Sequence, residues 1–124
     1  MIAGTLLLNS VNTNVLLNSG ATKSFVSRYF VYKLKLKAKP LEELLQVEIA
    51  NQEVVPVNQI HPDCELELGG QHFNVNLIPF KLGKFDVTLG MDWLSKNDAQ
   101  IDYREKKIKL KVPGEEEVVF RRKR

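Results

Sequence analysis

An amide, two hydroxyls and a glycine follow directly on an apolar run in Val15-Leu16-Leu17-Asn18-Ser19-Gly20-Ala21-Thr22. The run reads as a buried strand feeding a tight turn. Gly20 permits backbone geometry that a side chain forbids. Asn18 then stands at the end of a rigid strand, where a reacting group is well held. Ser19 as a nucleophile needs a histidine base and an orienting acid, and His61 and His72 both fall in turn regions. Cys64 fails as a nucleophile on similar grounds. As metal ligands, His61, Cys64 and His72 match no familiar zinc spacing and lack a fourth partner, so no metal or cofactor is expected. Asn18 as a plain turn former stays open on these residues alone.

Two apolar residues followed by Asp-Ser/Thr-Gly-Ala/Thr form the active-site signature of retroviral-type aspartic proteases. Leu16-Leu17-Asn18-Ser19-Gly20-Ala21 resembles it, with Asn18 where the signature has Asp. Phe85-Asp86-Val87-Thr88-Leu89-Gly90-Met91-Asp92-Trp93-Leu94 is similar to the late segment of proteases in gypsy-type LTR retrotransposon polyproteins, as is Asp98-Ala99-Gln100-Ile101-Asp102-Tyr103. The resemblance spans Ile2 to Lys111.

It implies an all-β, closed-barrel, retropepsin-like fold with one or two short helices, and aspartic endopeptidase activity on a polyprotein. A single copy of the signature implies a homodimer, each subunit giving one catalytic residue across a two-fold axis. Asn18, Ser19 and Gly20 take the catalytic positions. Ala21 and a flap tip of Ala50, Asn51, Gln52 and Glu53 take the substrate-binding ones. A carboxamide cannot share the proton that the paired carboxylates share, so the chain as written is expected to bind extended peptides without cutting them. The rival reading is a catalytically dead dimerisation or peptide-binding module, and a weaker rival is a nucleic-acid-binding domain. Asp86, Asp92 and Asp102 offer no replacement acid, and Asp92 is expected to cap a short helix, with acceptance of bonds from the loop around Asn18 as the alternative.

With 124 residues and 44% hydrophobic content, the chain suits one domain with a modest core. A protease domain over 1–112 and a C-terminal strand or charged tail over 113–124 are expected. A formal charge of +3 does not by itself imply nucleic acid. The basic tail Arg121-Arg122-Lys123-Arg124 carries no aromatic interleaving, so nucleic acid is not an expected partner. One cysteine excludes an internal disulfide and suits a reducing compartment: the cytoplasm or, by the resemblance, an intracellular virus-like particle. No apolar run reaches the length of a membrane span, and Ile2–Leu8 lacks the lead and cleavage site of a signal peptide.

These residues must be positioned by short strands. Gly4–Leu8 and Asn14–Leu17 read as a hairpin around Asn9–Thr13. Ser24–Leu34 reads as a helix capped by Ser24, with Phe25, Tyr29, Tyr32 and Leu36 approximating one face. Lys33–Lys37 alternates like a strand, and Pro40 closes the segment. Leu44–Ile49 and Val54–Ile60 form the expected flap hairpin. Pro62-Asp63 reads as a turn, Gly69-Gly70-Gln71 as another between Glu65–Leu68 and His72–Ile78. Pro79 and Lys81–Lys84 read as loop, Val87–Gly90 as a buried strand, and Asp92–Lys96 as a helical turn with Trp93 and Leu94 inward. Gln100–Tyr103, Lys107–Val112 and Val118–Phe120 close the chain as strands.

Overall fold

A computed structural model describes residues 2–48, 53–102, 104–105, 107–110 and 118–121. The first hairpin pairs β1 (Ile2–Leu8) with β2 (Val11–Leu17) in antiparallel register from Ile2↔Leu17 to Leu8↔Val11. Its turn is only Asn9 and Ser10, at φ 47° and 66°. The primed two-residue turn follows the strands' own twist, so Val11–Thr13 belongs to β2 rather than to the expected longer turn. Asn9 ties this end to β5 (Val54–Leu68): its N–H donates to the Glu65 carbonyl at 2.8 Å, and its Oδ1 accepts the Glu65 N–H at 2.9 Å.

The strands run β1-β2-β7-β3-β6-β5, and β5 pairs back onto β1 through Leu7↔Glu67 and Leu8↔Leu66. The result is a closed six-stranded barrel, as the resemblance implies. Here β3 is Phe25–Ser27, β6 is Gln71–Phe80 and β7 is Val87–Leu89. Closure removes free sheet edges from the barrel wall. Alternation fills its interior: Leu8, Val15, Leu17, Leu66, Leu77, Val87 and Leu89 are fully enclosed. Each such side chain contributes roughly 1.5–3 kcal/mol through burial. β4 (Lys39–Glu48) pairs with β5 outside the barrel and makes one side of an arm. β8 (Gln100–Asp102), β9 (Lys107–Leu110) and β10 (Val118–Arg121) form a separate antiparallel sheet that adds Ile108 and Leu110 to the core.

Several local expectations change. The Ser24–Leu34 segment is split: Phe25–Ser27 is strand and α1 is Arg28–Leu34. β3 pairs with both β6 and β7, and that pairing outweighs the local helical pattern. The helix turns Phe30 and Leu34 inward, whereas Tyr29 and Tyr32 point to solvent. It ends at Leu34 as expected, with Lys35 left-handed at φ 52°. No strand forms over Lys33–Lys37. Pro40 lies inside β4 opposite Gln59, where the strand's other edge needs no N–H. Pro62 and Asp63 do not turn the chain. They form an irregularity within the 15-residue β5, with Asp63 at φ 52° and its N–H donated to Asn76 Oδ1. Pro79 lies in β6. Gly69 and Gly70, at φ 58° and 80°, make the β5–β6 turn as expected. α2 is Met91–Lys96, with Trp93 and Leu94 buried.

Candidate active site

β2 delivers Asn18 to the end of the barrel, and a second strand fixes it there. The Asn18 N–H donates to the Leu89 carbonyl of β7 at 2.9 Å. The Asn18 side-chain Oδ1 turns back to accept the Gly20 N–H at 2.9 Å, and the Ala21 N–H donates to the Asn18 carbonyl at 3.2 Å. A side chain at Gly20 would start 3.1 Å from Asn18 Oδ1, so glycine keeps this turn uncrowded.

The loop beyond it rests on the start of α2. The Met91 N–H donates to the Ala21 carbonyl at 2.7 Å and the Asp92 N–H to the Thr22 carbonyl at 3.1 Å. Gly90 lies against this loop so closely that a Cβ would sit 2.2 Å from the Lys23 carbonyl oxygen and 2.7 Å from that of Ala21. Ser24, fully buried, completes the lock: its Oγ accepts the Gly90 N–H at 3.0 Å and donates to Asp92 Oδ1 at 2.7 Å. Asp92 Oδ1 also accepts the Trp93 N–H at 2.8 Å. The expected helix-capping roles are therefore corrected. Gly90 is the N-cap of α2, Ser27 that of α1, and neither makes a side-chain capping bond. Ser24 and Asp92 instead join the two sequence motifs to each other. The sequence names both residues but carries no signal for their pairing, since they stand 68 positions apart.

A groove of about 700 Å³ opens over this loop. Asn18, Gly20 and Ala21 line its floor, together with Thr22, Lys23 and Thr88. The β4 segment Leu45–Glu48 forms one wall, and Phe80, Lys81 and Leu82 another. Phe25 supports that side, its ring 5.4 Å from the Phe80 ring. Ser19 is exposed on the same loop. Of the expected flap tip, Ala50, Asn51 and Gln52 lie outside the described residues, and Glu53 is exposed but absent from the groove wall. The arm instead presents Leu45–Glu48, which alternation marks as strand without saying what it faces.

The other candidates have structural work. Asp86 Oδ2 accepts the Asn14 N–H, and Asp102 Oδ1 accepts the N–H groups of Arg104 and Glu105. His61 lies in β5, buried, with Nδ1 donating to the Lys37 carbonyl at 3.0 Å. His72 sits in β6 between Glu65, at 2.9 Å, and Glu67, at 3.6 Å. Burial, with the nearby Asp63 charge, pushes the Cys64 thiol up to about 11, which disfavours the thiolate a nucleophile needs. Among the described residues no group of three or more His, Cys, Asp or Glu side chains could hold a metal. No described helix is long and apolar enough to cross a membrane.

The family described as retroviral aspartyl protease matches residues 1–116. No curated protein sequence matches the chain. Among solved structures, the fold is similar to the retroviral protease-like domain of Ddi1 from Leishmania major, with TM-score 0.69 and 13% identity over 95% of this chain and 91% of that one. It is also similar to EIAV protease complexed with the inhibitor HBY-793, with TM-score 0.63 and 20% identity over 81% of this chain and 90% of that one.

Proposed function

The chain belongs to the retroviral aspartyl protease family, and from that premise we propose that it is the aspartic endopeptidase domain of a gypsy-type LTR retrotransposon polyprotein, homodimeric, with Asn18 in the place of the catalytic Asp. The observation that carries the reading is the loop Asn18–Lys23, open to a groove and locked from beneath by Gly90, Ser24 and Asp92. An extended peptide fits such a groove as an added strand beside the β4 segment Leu45–Glu48. Ser19 and Gly20 belong to the same catalytic turn, and Ala21 contacts substrate. The flap role of Ala50, Asn51, Gln52 and Glu53 is part of the same proposal. The reducing intracellular setting, cytoplasm or virus-like particle, is part of this proposal, supported by the unpaired Cys64.

Peptide hydrolysis of this class needs two carboxyls around one water. The ionised one takes a proton from the water, while the protonated one polarises the scissile carbonyl. Close carboxyls share one proton and titrate as a pair. A pair of Asn18 amides can neither take that proton nor supply it. Loss of general acid–base action costs about 10²–10⁴ in rate, and here both partners are lost.

The experiment is Asn18→Asp with a fluorogenic peptide library. Acid-favoured cleavage that the unchanged chain lacks is the expected result. A variant that is dimeric by sedimentation yet cleaves nothing supports the second reading, a peptide-holding module, which the presence of Asn18 itself favours. A variant that is folded and strictly monomeric at high concentration refutes the shared site.

A further inference from the structure

We infer that the outer face of α1 and the segment after it bind single-stranded nucleic acid. The inference goes beyond the peptide groove and uses none of its residues. From position 28 to position 39 the chain carries Arg28, Lys33, Lys35, Lys37 and Lys39 and no acid. Five positive charges in this stretch exceed the whole chain's net +3, so the rest of the surface is on balance negative and this face stands out. All five side chains are exposed.

Aromatic rings accompany the charge. Tyr29 and Tyr32 are 85% and 86% exposed, on a helix whose buried side is already supplied by Phe30 and Leu34. Residues three apart on a helix are surface neighbours, so the two positions share one side of α1. Large exposed rings flanked by cations make a stacking platform for unpaired bases.

Beside the rings lies a groove of about 400 Å³, between α1 and β5. Arg28 and Tyr32 line it from the helix, and the exposed amides of Asn58 and Gln59 line it from the strand, with no acid in its wall. Amides can meet base edges, and the cations meet phosphate. The segment is also held in place. Lys35 ends the helix with its N–H on the Tyr32 carbonyl at 3.3 Å, and the Lys37 carbonyl accepts from buried His61 Nδ1 at 3.0 Å. Charge complementarity alone would admit an acidic peptide, but paired exposed rings favour an unpaired strand.

The test is fluorescence anisotropy of a labelled oligouridylate across a salt series, using the full chain. Affinity should fall with salt at a log–log slope of about −2 to −3.5, because each neutralised phosphate of a single strand contributes about −0.7. Lys33→Gln with Lys35→Gln should make the slope shallower by about 1.4. Tyr29→Ala with Tyr32→Ala should weaken binding about tenfold or more, and Tyr29→Phe with Tyr32→Phe should leave it within about twofold. These positions are exposed, and circular dichroism checks that the variants fold. Absence of binding at low salt overturns the inference. So does equal affinity for duplex DNA or polyglutamate, or binding abolished only by neutralising Arg121, Arg122, Lys123 and Arg124. A change of oligomeric state in the double alanine variant also overturns it, since the face would then join copies of this chain.

Discussion

Gly90→Ala is the most revealing single change. A Cβ there would begin 2.2 Å from the Lys23 carbonyl oxygen and 2.7 Å from that of Ala21, where side-chain carbons keep at least 3.0 Å. Both obstacles are backbone, so the loop must retreat by about 0.8 Å from its place. The Met91 N–H bond to Ala21 and the Asp92 N–H bond to Thr22, now 2.7 and 3.1 Å, then lengthen or break. Overpacking costs about 1–3 kcal/mol, and each weakened hydrogen bond adds about 0.5–1.5 kcal/mol. The expected loss is about 2–6 kcal/mol, a large part of the roughly 5–15 kcal/mol that holds a domain folded. Urea unfolding at fixed protein concentration measures it, since association shifts apparent stability. Gly83→Ala is the control: nothing lies within 4 Å of a Cβ there, so little change or a gain of up to about 1 kcal/mol is expected. Equal midpoints for the two variants would falsify the claim that Gly90 seats the Asn18 loop.

Ser24→Ala removes the acceptor of the Gly90 N–H and a donor to Asp92. A loss of about 1–3 kcal/mol is expected from the buried group left unmatched, and in an Asn18→Asp background cleavage should fall further than stability alone explains. For Cys64 the sign follows from its raised pKa. The folded thiol ionises near 11 against 9.0 for an unperturbed one, so between those values the unfolded chain has released a proton that the folded chain keeps. Stability from this group is therefore lost as pH rises from 9 towards 11. Urea midpoints should show that decline, and Cys64→Val should flatten it. On the homodimer proposal, Asn18→Asp places two carboxyls face to face. They repel more as both ionise, so sedimentation should show a weaker dimer at neutral than at acid pH. A tighter dimer at neutral pH contradicts the paired site.

Position by position, the chain itself specified whatever depends on near neighbours. Gly69-Gly70 turns because glycine reaches positive φ freely. Val87–Leu89 reads as buried strand because apolar Val87 and Leu89 flank β-branched Thr88 just ahead of a glycine. The Asn18-Ser19-Gly20 turn is legible because its hydrogen bonds span two or three residues. Ser24 is the opposite case. Its local setting fits a helix cap, yet its partners are Gly90 and Asp92, 66 and 68 residues away. Phe25–Ser27 becomes strand only because β6 and β7 flank it. Pro62-Asp63 looks like a turn, yet β5 pairs with β6 on both sides of it, so it remains an irregularity within one strand. Nor could spacing tell that Leu45–Glu48 would wall the groove over Asn18, or that Tyr29 and Tyr32 would stand outside. Those outcomes depend on barrel closure, which brings distant segments together, and contacts of that range leave no period in the sequence.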